Sequence, residues 1–283
     1  MLRLIIVVVL AISTFNVWAK GTTTVTESND VTDSAVTNAK LKAMRGSESP
    51  LSIKMRMKYL GAGVDNLGSG ARPNPDNNVV PPETELQGTV AFSYRLNSHS
   101  TVSAGTGISF LQPEEEGFNR SETYEPYIQY DRTHKTWGME HDTYGKIGYY
   151  TGRSREAGRD LHFVVGDYFV KPLEGTRFSV GVDFGIGAKT FTKYNGDDYD
   201  WGWGLSPFAE YKISDSFNAT LMITTGGSHY RRGELLSDTI FAEFGLGYSL
   251  TDVVYINPVV AMYPESPDLE TTTISIDTIV SAF

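Results

Sequence analysis

From Leu51 onward, apolar and polar residues alternate one by one, in runs of about ten residues separated by turn-forming stretches. The clearest run is Arg177 to Ala188. Phe178, Val180, Val182, Phe184, Ile186 and Ala188 are apolar, and Ser179, Gly181, Asp183, Gly185 and Gly187 between them are small or polar. Successive side chains point to opposite faces of a strand, so this run has one apolar face and one small or polar face. The same alternation predicts strands over 51–61, 86–96, 102–110, 123–131, 137–151, 161–170, 203–213, 217–225, 240–250, 253–263 and 271–283. The phase is unclear in 137–151 and in 161–170, where Asp167 falls on the apolar face. Pro126 sits awkwardly within its strand because it cannot donate to a ladder.

These are about twelve strands, an even number, joined alternately by short and long connections. The short ones are 97–100, 132–136, 171–176, 214–216 and 251–252; the long ones include 65–83, 112–122, 152–160, 194–202 and 226–237. Tyr94, Tyr130, Phe169, Tyr211 and Tyr248 lie near short turns, and Phe110, Tyr149, Trp203 and Tyr263 near long loops. Two belts of amphipathic rings are what the two membrane interfaces favour. The pattern predicts an all-β fold: a transmembrane antiparallel up-and-down β-barrel with short periplasmic turns and long extracellular loops.

The first residues agree with export. Arg3 precedes an unbroken apolar run, Leu4 to Ile12, and Val17-Trp18-Ala19 fits a small-x-small cleavage site, so 1–19 reads as a signal peptide. Residues 20–50 are rich in Thr, Ser, Asn and Asp and read as a flexible periplasmic tail, within which Ser34 to Met44 has some helical character, with a small plug inside the barrel as the alternative. The barrel is expected over 51–283. A net charge of −10 argues against a nucleic-acid partner, and the lack of cysteine removes disulfides and thiolate metal sites.

On these features the chain resembles bacterial outer-membrane β-barrel proteins of the porin-like class. That class ends in an aromatic residue within an alternating last strand, which its assembly machinery reads. Here Ile274, Ile276, Thr278, Val280 and Ala282 alternate, while the terminal Phe283 is out of phase with them. The resemblance implies location in the bacterial outer membrane. It also implies contact with outer-membrane lipids and lipopolysaccharide, and insertion through the assembly machinery. It covers Leu51 to Phe283 and marks a class, not one activity.

Candidate chemistry lies mainly on the inward face. Lys54, Arg56, Lys58 and Arg95 come from the first two strands, and Glu125, Asp131, Asp183, Glu210, Lys212 and Glu243 from later ones. A basic wall facing a mainly acidic wall is suited to selecting charged solutes, so these ten are the expected pore-lining residues. The plain alternative is that inward charges pair and fill the barrel. Inward glycines, among them Gly105, Gly107, Gly181, Gly185, Gly187, Gly245 and Gly247, leave room for a pore. The leading reading is a passive channel for small hydrophilic or charged solutes, needing no cofactor or metal, with the oligomeric state left open.

Two other readings compete with it. The tract Glu140-His141-Asp142-Thr143 is similar to the His-Asp-Ser tract of outer-membrane phospholipase A, which implies a lipid hydrolase with His141 as base and Thr143 as nucleophile. Threonine stands where that family has serine, no asparagine follows at its spacing, and His141 lies far from the long loops. A structural or surface-recognition barrel, acting through its loops, is the third reading. Asp197, Asp198 and Asp200 lack the spacing of a calcium loop and read as a solvated loop, as do Arg153, Arg155, Arg159, Arg231 and Arg232.

Overall fold

The computed structural model describes residues 38–282, apart from 46–48, 69, 74–82, 112–120, 194–197, 231–232 and 266. The expected signal peptide, most of the expected tail, Asp197, Arg231, Arg232 and Phe283 lie outside the described residues.

The chain forms a closed antiparallel barrel. Its strands are β1 (Leu51–Gly63), β2 (Glu85–Asn97), β3 (Ser100–Leu111), β4 (Ser121–Thr136), β5 (Met139–Tyr149), β6 (Arg159–Pro172), β7 (Phe178–Phe191), β8 (Tyr199–Lys212), β9 (Phe217–Tyr230), β10 (Leu235–Ser237), β11 (Phe241–Thr251), β12 (Val254–Met262) and β13 (Thr273–Ala282). Twelve of them make the wall, each pairing with its neighbours, and β13 closes on β1. β10 is a short extra strand that pairs only with the loop end of β9. Closure leaves no free edge, so every wall strand has its backbone groups paired on both sides.

The apolar face of the alternation points outward. Phe92 is 71% exposed, Ile128 63% and Ile147 52%, values that no soluble core strand tolerates in such number. Hydrocarbon is the solvent that suits this surface. Tyr94, Tyr130, Tyr211 and Tyr248 stand on the outer face toward the short turns, and Phe110 and Tyr149 toward the long loops. No described helix is long and apolar enough to cross a membrane.

The structure departs from the sequence expectation in β4 twice, and settles the phase of β6. β4 runs on through 132–136, and its turn to β5 is Trp137-Gly138, both with positive φ (53° and 74°), the geometry of a tight two-residue hairpin. A bulge between Gly105 and Gly107 of β3 and Tyr127 and Tyr124 of β4 places Glu125 at φ 51° and turns Tyr124 inward. That irregularity also accommodates Pro126. Asp167 does lie on the outer face: it pairs with Thr143 of β5 and Phe184 of β7, with no register shift between His162 and Pro172.

Two short α-helices, α1 (Ala39–Arg45) and α2 (Gly152–Glu156), the latter in the β5–β6 loop, and one 3-10 turn, Val64–Asn66, complete the described structure. The barrel's core lies around α1. Leu41, Ala43 and Met44 are buried against Tyr168 and Val170 of β6, Phe208 of β8, Tyr255 of β12 and Ile279 of β13. β6 and β13 stand on opposite sides of the twelve-strand wall, so α1 lies across the lumen. The described part of the segment expected as a tail is thus inside the barrel.

Candidate functional site

The lumen is lined by the polar half of the alternation, and three levels can be distinguished along it.

At the periplasmic end α1 lies across the lumen, packed on β6, β8, β12 and β13. Asn38 caps it: the Asn38 side-chain oxygen accepts from the Leu41 amide at 3.0 Å. The Asn38 Nδ2 donates to both carboxylate oxygens of Glu210, at 3.2 and 3.1 Å. Ser281 Oγ donates to the Ala43 carbonyl at 3.0 Å, and Arg45 donates to the Ser98 carbonyl in the β2–β3 turn at 2.9 Å. The Lys40 ammonium lies 4.8 Å above the Tyr168 ring. A small cleft beside the helix is lined by Arg45, Lys54, Arg95, Asp131 and Asp142.

The middle level is charged. Lys54, Arg56 and Lys58 of β1 pair in register with Ser281, Ile279 and Asp277 of β13 and face inward. Lys58 Nζ is 2.8 Å from Glu243 Oε1 of β11 and 3.8 Å from Asp277 Oδ1, so this cation is neutralised by strands on its own side of the wall. Asp131 accepts from Gln129 Nε2 at 2.6 Å, and Asp142 sits beside Asp131 within the field of Lys54 and Arg56. Asp183 faces Tyr168 across the β6–β7 ladder. No carboxylate among the described residues forms an ion pair with Arg56.

The upper level gathers cations on aromatic faces. Lys146 Nζ lies 5.3 Å above Tyr127, Arg159 5.9 Å above Tyr150 and Lys189 Nζ 3.1 Å above Tyr199. Arg159 holds Asp198 with three N–H···O contacts of 2.8 to 3.1 Å, and Lys189 is 3.9 Å from the same carboxylate. Glu125, at the bulge, lies 3.7 Å from His162 Nδ1.

Of the ten residues expected on the lumen face, Lys54, Arg56, Lys58, Arg95, Glu125, Asp131, Asp183, Glu210 and Glu243 occupy inward positions of the ladders or, for Glu125, the inward bulge. Lys212 is exposed at the periplasmic end of β8, 2.6 Å from Asp215 in the following turn. The charges do not segregate into opposed walls, because Lys58 and Glu243 meet. Sequence reasoning missed Asp142, Lys146, His162, Lys189 and Asp277. Their common signal is an inward parity, obscured in β5 and β6 because outward His141, Thr143 and Asp167 are polar as well.

Those outward residues form the one polar cluster on the apolar face that sequence reasoning raised as catalytic. His141 Nδ1 is 2.7 Å from Asp167 Oδ2, and Thr143 Oγ1 donates to Asp167 Oδ1 at 3.0 Å. The Thr143 hydroxyl therefore binds the carboxylate, not the imidazole that would activate it. The other His141 nitrogen is buried without a partner beneath the stacked ring of His134, 4.7 Å away. The arrangement ties β5 to β6 and offers no nucleophile. On the loops, Asp198 and Asp200 are taken by Arg159 and His229, and Arg155 pairs with Asp160. Among the described residues no group of three or more His, Asp or Glu is arranged to hold a metal.

No family model matches the chain, and no curated protein matches it in sequence. Among solved structures, an outer membrane channel from Pseudomonas putida F1 superposes with a TM-score of 0.54 at 10% identity, over 84% of this chain and 97% of that one. The NanC porin follows at 0.47 and 10% identity (82% and 98% covered), and the KdgM porin in complex with oligogalacturonate at 0.46 and 9% (82% and 99% covered). The first shares the fold, that of a porin-like outer-membrane barrel; the other two scores add nothing to that assignment.

Proposed function

We propose that this chain is a channel of the bacterial outer membrane for passive diffusion of small hydrophilic or charged solutes, held narrow at its periplasmic mouth by α1. The observation that carries the reading is Arg56. A guanidinium facing inward with no paired carboxylate costs several kcal/mol unless it is hydrated. A barrel filled for stability alone would have paired it, as it pairs Lys58 with Glu243. Hydrated charge at mid-barrel supports a water-filled path above α1; the inward glycines expected to leave room do not add to it at Gly181, Gly245 and Gly247, where Phe208, Asn257 and Tyr255 take up the space. The channel named for the Pseudomonas protein of the same fold is consistent with this reading.

The occupied periplasmic mouth favours a second reading, a barrel closed by its own helix whose role lies in the loops. Single-channel conductance of the refolded mature protein in a planar bilayer separates the two. The channel reading expects discrete steps, and a shift of ion preference toward cations in Arg56→Glu. A folded barrel with no steps at any voltage overturns it in favour of the second.

A further inference from the structure

We propose that the upper level of the lumen contains a binding site for small monocarboxylates, with the solute carboxylate held between Lys146 and His162. The proposal rests on the channel reading only for the route by which the anion arrives.

His162 supplies the first argument. Its side chain is 7% exposed, yet neither ring nitrogen has a hydrogen-bond partner. Glu125 comes no nearer to Nδ1 than 3.7 Å, beyond hydrogen-bond reach; buried polar groups are nearly always satisfied, so two orphaned nitrogens on one ring mark a place where a partner is absent. The ring faces the lumen, opposite Gly148 in the β5–β6 ladder, and a Cβ at Gly148 would fall within it. The sequence thus keeps clear the space this imidazole occupies.

Lys146 supplies the second. It lies two positions from Gly148 on the same face of β5, a diagonal neighbour of His162 within reach of one small ligand. Its ammonium rests over Tyr127 and pairs with no carboxylate among the described residues. A cation and an N–H donor at this spacing can each take one oxygen of a carboxylate, and hydrogen bonds to a charged acceptor are the strong ones.

Charge fixes the valence. Lys146, Arg159 and Lys189 bring three positive charges into the cluster, and Glu125 and Asp198 two negative ones. The surplus among these five is a single positive charge, and the unpaired Arg56 adds its field at Lys146. Arg159 and Lys189 are already turned toward Asp198, and Glu125 stands beside the site. A second carboxylate on the ligand would meet these anions, so a monoanion is favoured over a dicarboxylate or phosphate. The phenol groups of Tyr127, Tyr150 and Tyr199 suit a polar organic body behind the carboxylate.

The test is isothermal titration of lactate into the refolded mature protein in detergent, with chloride conductance recorded on the same preparations. Lactate binds saturably, neutral lactamide does not, and inorganic phosphate competes weakly. Lys146→Met weakens lactate binding about tenfold or more, while Lys171→Gln on the outer face leaves it unchanged. Folding of each variant is checked by its heat-dependent migration in SDS gels; if Lys146→Met does not refold, His162→Leu takes its place. Lactate binding that survives the loss of Lys146, or equals that of lactamide or phosphate, overturns the proposal. Lactate binding without conductance leaves the site and removes the channel; conductance without lactate binding removes the site and leaves the channel.

Discussion

Asp167 and His141 meet on the outside of the barrel, carboxylate oxygen to Nδ1 at 2.7 Å, on a face otherwise given to lipid. Thr143 donates to the other carboxylate oxygen, so one anion satisfies two donors from the neighbouring strand. An isolated charge facing lipid would be costly; enclosed by two donors it becomes a strand clamp. Asp167→Ala strands both donors and lowers stability by about 1–3 kcal/mol, read by urea unfolding in lipid vesicles. The expected outcome of a lipid-hydrolysis assay is no release of fatty acid by the parent or by Thr143→Ala. Release of fatty acid that depends on Thr143 would restore the hydrolase reading.

The helix across the lumen is held by packing more than by its caps. Leu41 is 1% exposed and sits among Tyr168, Val170, Phe208, Tyr255 and Ile279. Leu41→Asp places a carboxylate in that apolar cluster and expels α1 from the mouth. The expected outcome is a larger unit conductance and longer open times than in the parent. Asn38→Ala, which removes the cap and both contacts to Glu210, costs about 1–2 kcal/mol of helix docking and shows the same change more weakly. Unaltered conductance in Leu41→Asp would mean that α1 does not limit the path.

The barrel itself was legible because a strand with lipid on one side and water on the other has a period of two that nothing else in the chain mimics. The signal fails where both faces are polar. Arg132 and His134 point outward and Thr133 and Lys135 inward at the periplasmic end of β4, so the run reads as a turn when it is strand. The bulge at Glu125 cannot be counted from spacing, because one extra residue shifts parity without changing composition. α1 was only faintly visible: its apolar residues acquire meaning through partners on β6, β8, β12 and β13, far away in sequence. The upper cluster was hidden for the same reason, since Lys146, His162 and Lys189 come from three different strands.

The β4–β5 turn gives a local test of register. Trp137 and Gly138 both adopt positive φ, and Trp137, 84% exposed, makes the turn at the membrane surface. Gly138→Val forces a β-branched residue into the left-handed region at a cost of roughly 1–2 kcal/mol. Trp137→Gly relieves the same strain and stabilises the turn, while removing an interfacial anchor. Unfolding midpoints that fall for the first substitution and not for the second confirm a two-residue turn here. A longer turn over 132–136 would leave Gly138→Val neutral.

Lys58 and Glu243 make the most consequential pairing inside the wall. Glu243 is 5% exposed at its side chain and has Lys58 at 2.8 Å as its ion-pair partner, whereas Lys58 also has Asp277 at 3.8 Å. The two deletions are therefore unequal. Lys58→Met leaves the buried Glu243 carboxylate without its partner and facing the half-buried Asp277, and costs about 3–5 kcal/mol. Glu243→Gln leaves Lys58 a remaining partner and costs less. The double variant Lys58→Met/Glu243→Gln removes the charge from both ends and recovers most of the loss, a coupling that a double-mutant cycle of unfolding energies measures directly. Conductance moves the other way: Glu243→Gln frees the lysine and raises anion preference, and Lys58→Met leaves an acidic patch and raises cation preference. Additive stabilities together with unchanged selectivity would place this pair outside both the structural ledger of the wall and the solute path.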